Sequence, residues 1–312
     1  MSNQLPGIKI VSTGKYVPPL VVSNDDLAKI VDTSDEWITT RTGIKNRHKS
    51  EGQNVLDMAY LAALNAIEKS TYDVSNIDLI VVATITSDFR SPSVANLLQA
   101  KLGLNNAKVM SFDINAACTG FVYALEVTSS LLSSGRYKAA LVIGSEHMTS
   151  VVDYTDRNTC ILFGDGAGAV IVEPSKDKAD IPVFFNASKG DDEGILKVDH
   201  TLYMEGKKVY QFAIGAIPAA INHLLNESGL SLADIDIVIP HQANQRIVET
   251  VAKHMDIPIE KFAMNIADYG NTSSASIPIL LEEYKTKHPE RLRVLIVGFG
   301  GGFTWGGAIF NV

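Results

Sequence analysis

Short runs of Val, Ile, Leu and Ala recur along the chain without alternation: LIVVAT from Leu79, ALVIG from Ala140, DIVI from Asp236 and VLIVG from Val294. A strand with one wet face alternates apolar and polar residues. Runs that are apolar throughout predict strands buried on both faces, as in parallel or mixed sheets covered by helices. Helical spacing appears between them. In VLDMAYLAALNAIEK the residues Leu56, Tyr60, Leu61, Leu64 and Ile67 share one face, and Phe121, Leu125, Thr128 and Leu132 share another in a helix that Gly135 is placed to cap. The pattern predicts an α/β protein with helix layers around two sheets.

The same order of segments occurs twice. IDLIVVAT from Ile77 is matched by IDIVIPHQ from Ile235, an offset of 158, and VMSFDINAAC from Val109 by AMNIADYGNT from Ala263, an offset of 154. VIG at 142–144 meets IVG at 296–298, again at 154, and GAVIV from Gly168 echoes GAIFN from Gly307 at 139. Four matches in chain order predict two pseudo-symmetric halves, 1–175 and 176–312, parted by the polar stretch EPSKDKAD. Ligand sites in such architectures gather at the C-terminal ends of strands.

The 312 residues are 46% hydrophobic and 20% charged, and no apolar run reaches the 18 or so residues of a membrane span. The N-terminus lacks the basic, apolar and small-residue succession of a secretory signal, so a cytoplasmic protein is expected. Two cysteines 42 positions apart form neither a disulfide framework nor a metal-binding CxxC pattern. The net charge of −8 argues against a general nucleic-acid binder. RTGIKNRHK, residues 41–49, runs against that balance and reads equally as a solvated loop or an anion-binding surface.

Candidate chemistry sits where strands end. Cys118 follows the strand-like VMSFDI and precedes a helix, at a helix start that favours a thiolate, among small residues that let a substrate approach. A buried structural thiol fits the same position, and the residues alone leave both readings open. His241 and Asn244 in PHQANQRI follow DIVI, whose strand Pro240 ends, while Asn271 in YGNTSSAS falls almost where Cys118 falls in the first half. The glycine-rich GDGAGA and GFGGGFTWGG both lead into strands, which is not the strand, glycine loop, helix order of a dinucleotide site. Glycines 300–302 instead suit a backbone N–H brought up to an oxyanion.

These residues resemble the thiolase-like condensing enzymes, and within them β-ketoacyl-acyl carrier protein synthase III. The resemblance spans nearly the whole chain and rests on DTSDEWITTRTGI (32–44), AACTGF (116–121), TDRNTCILFGDGAGAV (155–170), PHQANQRI (240–247), YGNTSSASIP (269–278) and GFGGGFTWG (298–306). It implies a thiolase-like αβαβα core and a catalytic set of Cys118, His241 and Asn271. It also implies the initiating condensation of fatty acid biosynthesis. Cys118 takes a short acyl group from acyl-CoA, and decarboxylative condensation with malonyl-acyl carrier protein follows. The resemblance makes the N–H groups of Cys118 and Gly301 an oxyanion hole, with no metal and no cofactor, acyl-CoA being a substrate.

By the same resemblance Trp37 and Arg157 sandwich the CoA adenine and Arg41 lies near the nucleotide. Arg246, Lys253 and Gln242 belong to the carrier-protein surface. Ser91 stands where relatives carry a bulky aromatic that reaches across a homodimer to the primer pocket. The exchange predicts room for a longer or branched primer unless Phe89 fills the space. Neither a membrane nor a nucleic acid is an expected partner. The alternative is a related condensing enzyme or acyltransferase of secondary metabolism with another acceptor. A degradative thiolase would need a second cysteine in GFGGGFTWGG, and a non-catalytic relative would lack one of the three residues.

Overall fold

The computed structural model describes residues 7–105 and 107–312, so the first six residues of the expected N-terminal half lie outside the described residues. The strands are β1 (Gly7–Tyr16), β2 (Leu20–Ser23), β3 (Asn46–Lys49), β4 (Leu79–Ala83), β5 (Met110–Ile114), β6 (Ala140–His147), β7 (Asp165–Ser175), β8 (Val183–Ser188), β9 (Leu196–Val198), β10 (Leu202–Met204), β11 (Ile237–Pro240), β12 (Arg293–Gly300) and β13 (Thr304–Asn311). Among the described residues one sheet has the order β1-β7-β6-β4-β5 and a second the order β11-β12-β13-β8, with β2/β3 and β9/β10 as ribbons. In the first sheet β6, β4 and β5 are parallel; β7 is antiparallel to β6 and β1 to β7. The second repeats this plan, with β11 parallel to β12 and β13 and β8 antiparallel. Where β5 would recur, only a single parallel bridge from Val238 to Phe262 remains.

Register tests the internal repeat. Leu79 faces Ala140 and Ile237 faces Val294, which reproduces the offsets of 158 and 154. The last strand differs. Ala140 faces Val172 and Val294 faces Phe310, so the offset there is 138, not 139. A one-residue slip exchanges the faces of a strand. At the true register Val170 and Val172 are matched by Ala308 and Phe310, all in one core.

The helices are α1 (Asn24–Leu27), α2 (Asp35–Thr42), α3 (Val55–Ser70), α4 (Val94–Lys101), α5 (Gly120–Ser133), α6 (Gly206–Ser228), α7 (Gln245–His254), α8 (Ile266–Tyr269) and α9 (Ser276–Lys287). Phe121, Val122 and Leu125 of α5 and Ile277, Leu280 and Leu281 of α9 form a middle layer, packed on Val81 and Val142 of the first sheet and Ile239 and Ile296 of the second. Helices α3 and α4 cover the outer face of the first sheet, and α6 and α7 that of the second. The result is the αβαβα sandwich of the thiolase fold. No described helix is long and apolar enough to cross a membrane.

The face α3 turns inward is not the one its large residues suggest. Val55, Met58, Ala59, Ala62, Ala63 and Ala66 are buried, while Leu56, Tyr60 and Ile67 are only partly so. The helix lies so close to β1 that a Cβ on Gly14 would stand 2.4 Å from the Ala62 carbonyl oxygen. Only small side chains fit such a contact, so packing distance overrode the size of the apolar residues.

Candidate active site

The chain leaves β5 at Ile114, passes through a 3-10 turn at Ala117–Thr119 and enters α5, so Cys118 sits on the turn itself. Ala117 has φ of 48°, a left-handed conformation that costs a non-glycine residue about 1–3 kcal/mol and recurs at functional turns. The second half repeats the device: Ser273, φ 49°, opens the turn Ser273–Ala275 that leads into α9. The structural counterpart of Cys118 is therefore Ser274, and that of Asn271 is Asn115. The expected near-equivalence of Asn271 and Cys118 is corrected by the insertion of α8, which moves the offset from 151 at Phe262 to 156 at this turn.

Cys118, His241, Asn271 and Gly301 line one cavity of about 950 Å³. His241 continues from β11, its N–H donating to the Val297 carbonyl at 2.8 Å, and Nδ1 lies 2.7 Å from Ser276 Oγ at the start of α9. With that hydroxyl donating to Nδ1, Nε2 keeps the ring hydrogen as a donor. Burial pushes the imidazole pKa down to about 3, so His241 is neutral over the physiological range. Asn271 is held from the first half: its N–H donates to the Leu162 carbonyl at 2.8 Å and its carbonyl accepts from the Gly164 N–H at 3.1 Å. Its side-chain Oδ1 accepts from the Ser273 N–H at 2.8 Å. That bond leaves the Nδ2 hydrogens as the available donors.

The Cys118 thiol donates to Ser273 Oγ at 3.5 Å. Burial pushes its pKa up to about 12; the Ser273 hydroxyl works against that shift and the charge of Glu146 adds to it. The helix start was expected to favour a thiolate; desolvation acts against it. The glycine-rich tip between β12 and β13 closes on Cys118. A Cβ on Gly300 would stand 2.7 Å from the Cys118 nitrogen. Thr304 Oγ, 2.5 Å from Thr119 Oγ and donating to the Ala116 carbonyl at 3.2 Å, ties that hairpin to the turn.

Trp37 and the exposed Arg41 and Arg246 also line the cavity and form its rim. The Arg41 guanidinium lies 4.5 Å and that of Arg157 4.8 Å from the Trp37 ring centre. An aromatic ring between Trp37 and Arg157 needs two contact layers of about 3.5 Å each, so the guanidinium must swing out to form the expected sandwich. On α7, capped by Asn244, Arg246 and Lys253 share the outward face. Gln242 does not join them. It is 2% exposed, donates to the Pro240 carbonyl and accepts from the Asn265 and Ile266 N–H groups, which corrects its expected place on the carrier-protein surface: its amide is consumed inside the fold.

Ser91 and Phe89 lie on an exposed loop outside the cavity lining of their own chain. Part of the basic stretch 41–49 is internal: Arg47 is 2% exposed and donates to the carbonyls of Val22 and Ile161 and to Asn24. Three site residues escaped the sequence reading. Ser276 holds His241, and Ser273 holds Cys118 and is itself bonded to Glu146. Ser273 and Ser276 lay unremarked within YGNTSSASIP, and Glu146 showed only as a carboxylate near the end of the apolar run ALVIGSEH. Among the described residues no group of three or more His, Cys, Asp or Glu is placed to hold a metal.

The family described as 3-oxoacyl-[acyl-carrier-protein (ACP)] synthase III matches residues 112–190, and its C-terminal counterpart matches residues 225–312. The β-ketoacyl-[acyl-carrier-protein] synthase III of Acholeplasma laidlawii is 60% identical over 305 residues, covering 98% of each chain. The crystal structure of the 3-oxoacyl-[acyl-carrier-protein] synthase III of Aquifex aeolicus superposes with a TM-score of 0.94 at 43% identity, over 98% of this chain and 100% of that one. The priming β-ketosynthase of the R1128 polyketide pathway superposes at 0.93 with 31% identity, over 99% and 97%. The chain belongs to the 3-oxoacyl-[acyl-carrier-protein] synthase III family of thiolase-fold condensing enzymes.

Proposed function

We propose that the initiating condensation of this family runs in the 950 Å³ cavity through Cys118, His241 and Asn271. Cys118 sulfur attacks the thioester carbonyl of a short acyl-CoA, the carbon–sulfur bond to CoA breaks, and an acyl-enzyme remains. Malonyl-acyl carrier protein then loses CO2. The electrons of the broken bond pass to the thioester oxygen, which the N–H donors of His241 and Asn271 stabilise as an enolate. Its carbon attacks the acyl-enzyme, and the N–H groups of Cys118 and Gly301 hold the tetrahedral oxyanion until Cys118 leaves. One observation supports this most: the Cys118 thiol, the His241 ring and the Asn271 amide come from different strand ends and line one cavity, where Ser276 and Ser273 fix the ring and the amide.

In this reading Trp37, Arg41 and Arg157 bind the nucleotide of CoA, and Arg246 and Lys253 meet the acidic carrier. The enzyme works as a cytoplasmic homodimer without a cofactor, and Ser91 leaves the primer pocket open to longer or branched acyl groups. Incubation with radiolabelled acetyl-CoA and then malonyl-carrier protein tests the scheme. Label must appear on Cys118 and pass to a β-ketoacyl product. A Cys118→Ala variant that acquires covalent label and forms product refutes it. Turnover with acetyl-CoA and none with butyryl- or isobutyryl-CoA refutes the open pocket.

A further inference from the structure

Beneath the nucleophile lies a carboxylate that this scheme leaves unused. Glu146, near the end of β6, is fully buried on the strand face that carries Val142 and meets the middle helices. Its Oε2 accepts from the Thr86 hydroxyl at 2.6 Å, the Ile85 N–H at 3.1 Å and the Thr84 hydroxyl at 3.2 Å. Its Oε1 accepts from the hydroxyls of Ser274 at 2.7 Å and Ser273 at 3.1 Å. Five donors aimed at one carboxyl suit the ionised form, which only accepts.

The groups around Glu146 are few. His147 and Asp165, paired across β6 and β7, lie on the opposite face of the sheet. The segment after β4 contributes Thr84 and Thr86, and the turn before α9 contributes Ser273 and Ser274. From the turn before α5 comes the titratable Cys118. Ser273 joins the two ends, accepting from the Cys118 thiol at 3.5 Å and donating to Glu146 at 3.1 Å. Ser274 has no such role, since its single hydroxyl proton is shared between Glu146 and the Ala83 carbonyl at 3.0 Å. In this arrangement the donors point in one sense, from thiol to hydroxyl to carboxylate.

We propose that Glu146, acting through Ser273, takes the proton of Cys118 during acylation and returns it after condensation. As Cys118 sulfur attacks the acyl-CoA carbonyl, its proton moves to Ser273 Oγ and the Ser273 hydroxyl proton moves to Glu146 Oε1. CoA departs as a thiolate and is protonated by solvent. When the malonyl-derived carbanion has attacked the acyl-enzyme, Cys118 leaves as a thiolate, and the relay reverses: Glu146 gives its proton to Ser273, which gives its own to sulfur. One proton is drawn from solvent per turnover and one CO2 is released. His241 is left free to remain a neutral donor throughout. The buried carboxyl is suited to holding the proton between half-reactions, because burial raises its affinity for it.

This inference rests on Cys118 being the nucleophile but not on its substrates, so the test uses iodoacetamide, which alkylates the thiol without acyl-CoA or carrier protein. The rate of alkylation at Cys118, read on its peptide by mass spectrometry, is followed from pH 6 to 10 in the intact enzyme and in Glu146→Gln, Glu146→Asp and Ser273→Ala. Loss of a positioned proton acceptor costs about 10²-fold or more. Glu146→Gln and Ser273→Ala should be slower by about that factor at pH 7, the gap should narrow steadily toward pH 10 as hydroxide replaces the relay, and Glu146→Asp should restore part of the rate. A wild-type rate and profile in either of the first two variants overturns the proposal, as does a loss of equal size at every pH, the mark of a structural defect. If Glu146→Gln does not fold, Ser273→Ala decides alone; it removes one oxygen and leaves the backbone N–H that holds Asn271 in place.

Discussion

Replacing Asn271 by aspartate separates the two half-reactions. The side chain keeps its shape, and one oxygen can still accept the Ser273 N–H that now holds Oδ1 at 2.8 Å. What changes is the other terminal atom, from an N–H donor to an acceptor carrying negative charge, at a position 6% exposed. A single lost donor to a developing oxyanion costs about 3–4 kcal/mol, or about 10²–10³-fold in rate, and the added charge makes the loss larger. Release of labelled CO2 from malonyl-carrier protein should fall by at least that factor. Labelling of Cys118 by radiolabelled acetyl-CoA, which uses the other oxyanion hole, should stay within a few-fold of wild type. The introduced carboxyl, once protonated, again offers a hydrogen, so the residual decarboxylation rate should rise as pH falls from 7 to 5. Decarboxylation at the wild-type rate, or an equal loss in both half-reactions, would refute the assignment of Asn271 as a donor to the malonyl thioester.

Gly300→Ala should slow Cys118 labelling about tenfold to a hundredfold, because the new methyl would lie 2.7 Å from the Cys118 nitrogen and displace the turn; unchanged labelling would show that the hairpin yields freely. Burial holds His241 at about 3 against an ordinary 6.5, so between those values the unfolded chain binds the proton and the native state does not. Stability should therefore fall as pH drops from about 6 toward 4, and His241→Gln should lessen that drop in the urea midpoint; an identical pH slope in the variant would contradict the buried neutral ring. Lys253→Glu should raise the KM for malonyl-carrier protein several-fold, more at low salt than at high, and leave acylation by acyl-CoA unchanged; a KM insensitive to the substitution would remove α7 from the carrier surface.

Much of the architecture could be read along the chain because its physics is local. Strands apolar on both faces announce a sheet covered on both sides, and strand-end residues such as Cys118 and His241 stand out because polar groups interrupt apolar runs. The repeat was legible for the same reason, down to offsets of 158 and 154 that the strand register reproduces. Other features depend on distances between segments far apart in sequence. The inward face of α3 was set by how near β1 lies, and the counterpart of Cys118 by an insertion that similarity of letters could not reveal. Gln242 looked like a surface residue until its partners Asn265 and Ile266 were seen to enclose it.

The buried strands and the duplication were legible in the sequence alone, since each is written in composition and spacing, and family motifs singled out Cys118, His241 and Asn271 as the candidate site. Only the tertiary structure decided their states. Burial pushes the His241 pKa down and that of Cys118 up, a backbone N–H of Ser273 orients the Asn271 amide, and Glu146 comes to lie behind Cys118, joined to it through Ser273. Protonation and orientation are set by desolvation and by hydrogen bonds from partners up to 155 residues away, such as Ser273 to Cys118, and no local pattern carries that information.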